Sequence, residues 1–213
     1  MYLWRKLTPG QRAELLAERR ARHRPWHGPP RFEGTETRLF HLTAAYFEHE
    51  PIIGASFARL ESFTQSLHLT VAAACKHVFA WCVLPNHYHL LVETWNFRET
   101  TQRLGRLHGR TSFSWNAEDN TRGRSCFHRT ADRAIRGERH FWATMNYVRH
   151  NPVHHGLVEK WTDWLWSSAQ EFLAGVGRDE ALRICREYPV LDYGKKWDAG
   201  TAGIRRKGAS NSG

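Results

Sequence analysis

The chain has 213 residues, 41% hydrophobic and 24% charged, with a formal net charge of +10 and a pI near 9.9. That length buries one core, or one core with appendages, and the charge suits a polyanion, nucleic acid first. No apolar run approaches the roughly 20 residues of a membrane span, no signal-peptide core opens the chain, and the four cysteines lack C-x-x-C spacing, so a cytoplasmic protein with reduced thiols and no membrane partner is expected.

Thr8-Pro9-Gly10-Gln11 opens a helix, with Thr8 and Gln11 as a capping box and Pro9 at the first helical position. This helix is expected to reach about Arg24, where Pro25 stops it, and it is mostly basic: Arg12, Arg19, Arg20, Arg22 and Arg24. A linker with Pro29 and Pro30 follows, so residues 1–34 form a basic helix and linker, residues 35–175 the main domain, and residues 176–213 a C-terminal helix and basic disordered tail.

Within the main domain, residues 38–47 alternate as a strand that puts Phe40, Leu42, Ala44 and Tyr46 on one face. Residues 56–67 read as a helix, 76–84 as a strand, and 87–93 as its hairpin partner across Pro85-Asn86. Residues 97–115 form a second helix with Phe97, Leu104, Leu107 and Thr111 toward the sheet. Residues 116–124 are a loop, 125–135 a fourth strand and 138–150 a third helix. Residues 161–175 give a peripheral helix, capped by Ser167 with Gln170 and stopped at Gly175, in which Trp164 to Ser168 serve core packing; residues 179–187 give one more short helix. The fold class is therefore α+β: a ferredoxin-like β-α-β-β-α-β antiparallel sheet with helices on one face, plus peripheral N- and C-terminal helices.

Three groups of residues carry possible chemistry. His87 and His89 are two apart on a strand, so they share a face, while Tyr88, Leu90 and Val92 point into a core. Two such imidazoles are half of a divalent-metal site. On the third helix, Phe141, Met145 and Val148 are spaced for the core, and His140, Thr144, Tyr147 and Asn151 for a different, polar side. Arg103, Arg106 and Arg110 share a face of the second helix, and Arg122, Arg124, Arg129 and Arg133 follow it. Arginines near the histidine face would contact phosphate without reading sequence. Glu93 reads as a surface carboxylate, and His128, His150, His154 and His155 as solvated or DNA-facing histidines.

Leu84-Pro85-Asn86-His87-Tyr88-His89-Leu90-Leu91-Val92 resembles the signature of the single-tyrosine HUH transposases. Asn146 to Val158, with Tyr147 and Asn151-Pro152, resembles their tyrosine block. The likeness spans roughly residues 38–172 and is greatest to the REP-associated tyrosine transposases, which share the ferredoxin-like fold. It implies an endonuclease and strand transferase acting on single-stranded DNA beside palindromic hairpins. Tyr147 would be the nucleophile and would form a 5′-phosphotyrosine. His87 and His89 would hold Mg²⁺ or Mn²⁺, with Asn151 as third ligand at the end of the helix, since Pro152 disfavours helical geometry there. DNA contacts would fall to Arg103, Arg106, Arg110 and Arg129. Rival readings are a domesticated, non-catalytic binder of single-stranded or hairpin nucleic acid, an RNA-binding module stacking bases on Phe79 and Trp81, and a two-histidine hydrolase. Monomer or homodimer, and whether Tyr147 serves its own subunit, are left open.

Overall fold

A computed structural model describes residues 8–11, 14 and 38–190. Its elements are β1 (Arg38–Ala45), α1 (Phe57–Ala72), β2 (His77–Val83), β3 (His87–Thr94), α2 (Phe97–Glu118), β4 (Ala131–Ala134), α3 (Glu138–His154), α4 (Ala169–Val176) and α5 (Arg178–Glu187). The strands form one antiparallel sheet in the order β2-β3-β1-β4, which is the ferredoxin-like arrangement.

The period-two alternation divides the sheet into two faces. Phe40, Leu42 and Ala44 of β1 and Tyr88, Leu90 and Val92 of β3 pack beneath α1 and α2, against Leu60, Phe63, Leu67, Leu104 and Leu107. The opposite face carries Ala80, Cys82, Leu84 and Leu91, and α3 covers it with Met145, Tyr147 and Val148. The two expected helices thus lie on one face, and the third closes the other. Tyr147 is correspondingly not apart from the apolar side of α3: it packs with Met145 and Val148 in one buried cluster against the sheet. Phe79 and Trp81 sit on β2, an edge strand, and Trp81 is buried with its ring against His68. The RNA-binding reading required exposed aromatics on the central strands, whose Phe40 and Tyr88 are buried.

Local chemistry explains most boundaries. Thr8 and Gln11 form the expected reciprocal cap, at 2.9 and 3.3 Å; the rest of that helix, the linker and the tail beyond residue 190 lie outside the described residues. Ser56 accepts the Arg59 N–H at 3.1 Å and starts α1, and Asn96 does the same for α2 through Glu99. β4 is shorter than the expected 125–135, because the segment before it wraps the end of α2: Asn116 donates to the Arg124 carbonyl at 2.9 Å. The helix expected over 161–175 is instead a 3-10 turn (Trp161–Asp163) and the short α4. The residues between are drawn out along the open edge of β2, with Val83 N–H bonding Trp166 O at 2.8 Å and Ser168 N–H bonding Trp81 O at 2.9 Å. Ser167 consequently makes no capping box, and α4 stops at Gly177, whose φ is +82°. α5 docks on α3, where Asn146 donates to the carbonyls of Ile184 and Tyr188.

α3 also differs from expectation. It does not end at Asn151 but runs through Pro152 to His154. Proline before the last turn removes only the bond to Val148 O, and the helix is carried on by the His155 N–H to Asn151 O at 3.0 Å. Among the described residues, no helix is long and apolar enough to cross a membrane.

Candidate active site

The β1–β3 register sets Thr43 opposite His89 and Ala45 opposite His87, on the face that α3 covers. Both imidazoles are buried, at 1% and 0% exposure. His87 Nδ1 lies 2.6 Å from Asn86 Oδ1, and Asn86 Nδ2 in turn donates to His49 O at 3.0 Å. The anchored amide therefore presents its oxygen to the ring, which fixes the proton on Nδ1 and leaves a lone pair on Nε2. His87 Nε2 is 3.2 Å from Asn151 Oδ1. Two acceptors facing each other are resolved by a second proton on His87, by an amide turned to donate, or by a cation bound to both.

His89 repeats the pattern. Its Nδ1 lies 2.8 Å from Thr43 Oγ1 and 3.2 Å from His41 Nε2. Its Nε2 is buried and makes no hydrogen bond of normal geometry. Burial holds its pKa well below the ordinary histidine value, with the nearby His41 and His155 adding to the effect and Asn151 opposing it. A neutral ring with one nitrogen engaged and the other bare is the form in which histidine binds a metal.

Tyr147 is 3% exposed. Its ring centroid lies 5.2 Å from His89 and 5.7 Å from His41, edge-on to both. One turn later Asn151 is fully buried, its Nδ2 without a hydrogen-bond partner. The fold thus assembles His87, His89, Tyr147 and Asn151 in one place, all from one chain. Among the described residues, no three His, Cys, Asp or Glu side chains form a metal-holding group. Any metal here rests on two imidazoles and an amide, a donor set in which His89 Nε2 has no hydrogen-bond partner and His87 Nε2 faces Asn151 Oδ1.

Arg103, Arg106 and Arg110 are not part of this assembly. With Ser66 and Thr70 they line a groove between α1 and α2, on the opposite face of the sheet, and Arg103 is paired with Glu99 at 2.8 Å. The expectation that they flank the histidine face is corrected: α2 packs above Tyr88 and Leu90, which point away from His87 and His89. Arg129 is exposed just before β4, and Arg133 stands opposite His41 on the site's face. Arg124 is held by Asp119 and Asn116.

Glu93 pairs with Lys76 at 3.1 Å, as a surface carboxylate would. His128 packs tilted against Phe47, His154 is exposed, and His150 bonds Asn146 O and stacks on Trp161. His155 departs from expectation, with its ring 4.9 Å from His87. His41 and Thr43 join the site although neither belongs to the motifs that the sequence displays. The signal for them was the alternation itself, since Phe40, Leu42 and Ala44 facing the core put His41 and Thr43 on the histidine face.

No protein-family profile and no curated protein matches the sequence. Among solved structures, the chain is similar to the REP-associated tyrosine transposase bound to a REP hairpin. That likeness has 16% identity and a TM-score of 0.54, over 69% of this chain and 86% of the other. It is also matched to a "putative transposase" of Deinococcus radiodurans at 12% identity and a TM-score of 0.36, over 60% of this chain and 97% of that one. The first likeness establishes the fold; the second is too slight to carry an argument.

Proposed function

We propose that this chain belongs with the REP-associated tyrosine transposases and cleaves and rejoins single-stranded DNA beside hairpins. The observation that carries this reading is the meeting of β3 and α3. His87 and Asn151, 64 residues apart, come within 3.2 Å, with Tyr147 packed on His89 beside them. The similarity of fold to a transposase bound to a REP hairpin supports the substrate class.

Tyr147 Oη attacks the scissile phosphorus and forms an O–P bond as the P–O3′ bond breaks. The phenolic proton is lost and the departing 3′-oxygen gains one, leaving a 5′-phosphotyrosine and a 3′-hydroxyl. Attack by a 3′-hydroxyl on the same phosphorus reverses the step and joins strands. A phenol whose ordinary pKa is about 10 needs its target held in line and neutralised. His87 Nε2, His89 Nε2 and Asn151 Oδ1 would hold Mg²⁺ or Mn²⁺, which supplies Lewis-acid neutralisation of a non-bridging oxygen. Amide and phosphate oxygens favour these harder ions over Zn²⁺. Asn86 and Thr43 keep the two rings turned with Nε2 inward.

The burial of Tyr147 favours one rival, a binder that keeps the fold without the chemistry. One gel decides between them. Incubation with a hairpin bearing a single-stranded flank and Mn²⁺ should give a protein–DNA adduct stable to denaturation. Tyr147→Phe should abolish the adduct and leave binding intact. No adduct from the parent, or an adduct that survives in the Phe variant, overturns the assignment.

A further inference from the structure

Beyond Tyr147 and the histidines, the same face of the sheet carries a cleft of about 600 Å³ at the end where α3 begins. Its apolar surface comes from Leu39, Phe79 and Ile135, and Arg38 and Arg136 lie at its rim. The volume falls within the range of small-ligand sites. Leu39 pairs with Glu93, and four residues back along β3 stands His89, roughly 13 Å away at the rise of a strand. Between them, His41 faces Arg133. Arg133 therefore places one further cationic side chain between the cleft and the histidine cluster.

Two details mark the cleft as built. The register of β2 against β3 shifts between Val78 and Ala80, so Phe79 is the extra residue of a bulge. The bulge frees its ring from the regular alternation, and Phe141 steadies that ring edge-on at 5.1 Å. The second detail is the carboxylate in the cleft. Glu93 is paired with Lys76 at 3.1 Å, so its charge is compensated rather than turned on an incoming anion.

We propose that this cleft binds a nucleotide of the single-stranded DNA flank, its base stacked on Phe79 and its phosphates at Arg38 and Arg136. An aromatic surface with cations beside it suits an unstacked base whatever its identity, since every base has a π-face. Duplex DNA offers no such base. The inference rests on the proposed function for the course of the strand toward Tyr147, but the binding itself does not depend on cleavage.

The test uses the full chain in EDTA with a fluorescent single-stranded oligonucleotide, read by anisotropy across a salt series. Arg38→Ala combined with Arg136→Ala should weaken binding about tenfold at low salt and reduce the salt slope by roughly 1.4, two phosphates' worth. Phe79→Leu keeps an apolar side chain and should weaken binding about tenfold with the slope unchanged. Arg183→Ala with Arg186→Ala, a charge-matched pair on α5, should bind as the parent does after allowance for net charge. Parent-like affinity in both cleft variants overturns the inference, as does an equal loss from Phe79→Leu on blunt duplex. An adduct at Tyr147 with unaffected cleft variants leaves the transposase reading standing and removes the cleft. Weakened binding without any adduct does the reverse.

Discussion

His108 makes the chain acid-labile in a way that can be isolated. It lies on α2 at 8% exposure, with Nε2 2.9 Å from Tyr88 Oη and the ring stacked on Phe127 at 4.3 Å. Burial lowers its pKa from 6.5 to about 4. The neutral ring accepts the Tyr88 hydroxyl proton, and protonation would place a charge within the core. Because the folded state takes up this proton less readily than the unfolded state, the contribution is whole above pH 6.5 and is lost as pH falls toward the folded value. The full shift corresponds to about 3 kcal/mol, of which roughly 2 kcal/mol is gone by pH 5. His89, His150, His68 and His140 are lowered as well and act in the same direction. Asp132, raised to about 6 by burial, acts in the opposite one. A raw stability profile mixes these groups, so the informative quantity is a double difference. His108→Gln keeps an acceptor for Tyr88 and cannot take a proton. Urea unfolding at pH 7.5 and pH 5 should show the parent losing about 2 kcal/mol more than the variant. Equal losses would refute the assignment of that acid lability to His108.

Three further outcomes follow from particular contacts. A Cβ at Gly54 would fall 2.5 Å from Pro85 Cβ, in the turn that precedes His87, so Gly54→Ala should cost about 1–3 kcal/mol in urea; an unchanged midpoint would contradict the packing. Asn151→Ala removes a buried amide from a helix interior, so the metal-free protein should melt near the parent's temperature while the rise in Tm on adding Mn²⁺ shrinks, and an undiminished rise would show that Asn151 is not a ligand. If the groove of Arg103, Arg106 and Arg110 meets a DNA backbone, each single Ala variant should lower the salt slope by roughly 0.7 for a single strand, and unchanged slopes in all three would make it an ordinary solvated face.

The sequence made the order of elements legible because Phe40, Leu42 and Ala44 in β1 and Tyr88, Leu90 and Val92 in β3 keep period-two spacing, and Ser56 and Asn96 mark where their helices start. It also made the pairing of His87 with His89 legible, since period two needs no tertiary information. What lay beyond it depended on contacts between distant segments. The layer from which Arg103, Arg106 and Arg110 look out follows only once α2 is placed above Tyr88 and Leu90. The extension of Trp164 to Ser168 is dictated by the open edge of β2, a demand that no local pattern in those residues reveals. Pro152 shows the limit of a local rule. It disfavours helix at Asn151, yet packing of α3 on β2 and β3 outweighs the single lost bond.

Buried polar atoms set the α3 face of the sheet apart. Unpaired buried donors and acceptors cost about 1–3 kcal/mol each, so a chain selected for folding alone tends to remove them. Beneath α1 and α2, Thr94 bonds Thr100 at 2.7 Å and Tyr88 bonds His108, while Tyr46 Oη and His68 Nε2 are unpaired but lie apart from each other. On the other face, His89 Nε2, Asn151 Nδ2 and two guanidinium nitrogens of Arg149 have no hydrogen-bond partner. An unpaired atom by itself proves little: the Asp132 carboxylate is also unpaired, and Arg149 is held instead by Phe172, over whose ring it stacks at 3.5 Å. The distinction lies in convergence. Asp132 and Arg149 lie apart from any such group, Arg149 donating to Phe79 O at 3.3 Å, whereas His89 and Asn151 come together with His87 and Tyr147, with Thr43 and Asn86 bonded to the two rings. Packing would gain nothing from that convergence. A ligand bound at the point where those atoms meet would.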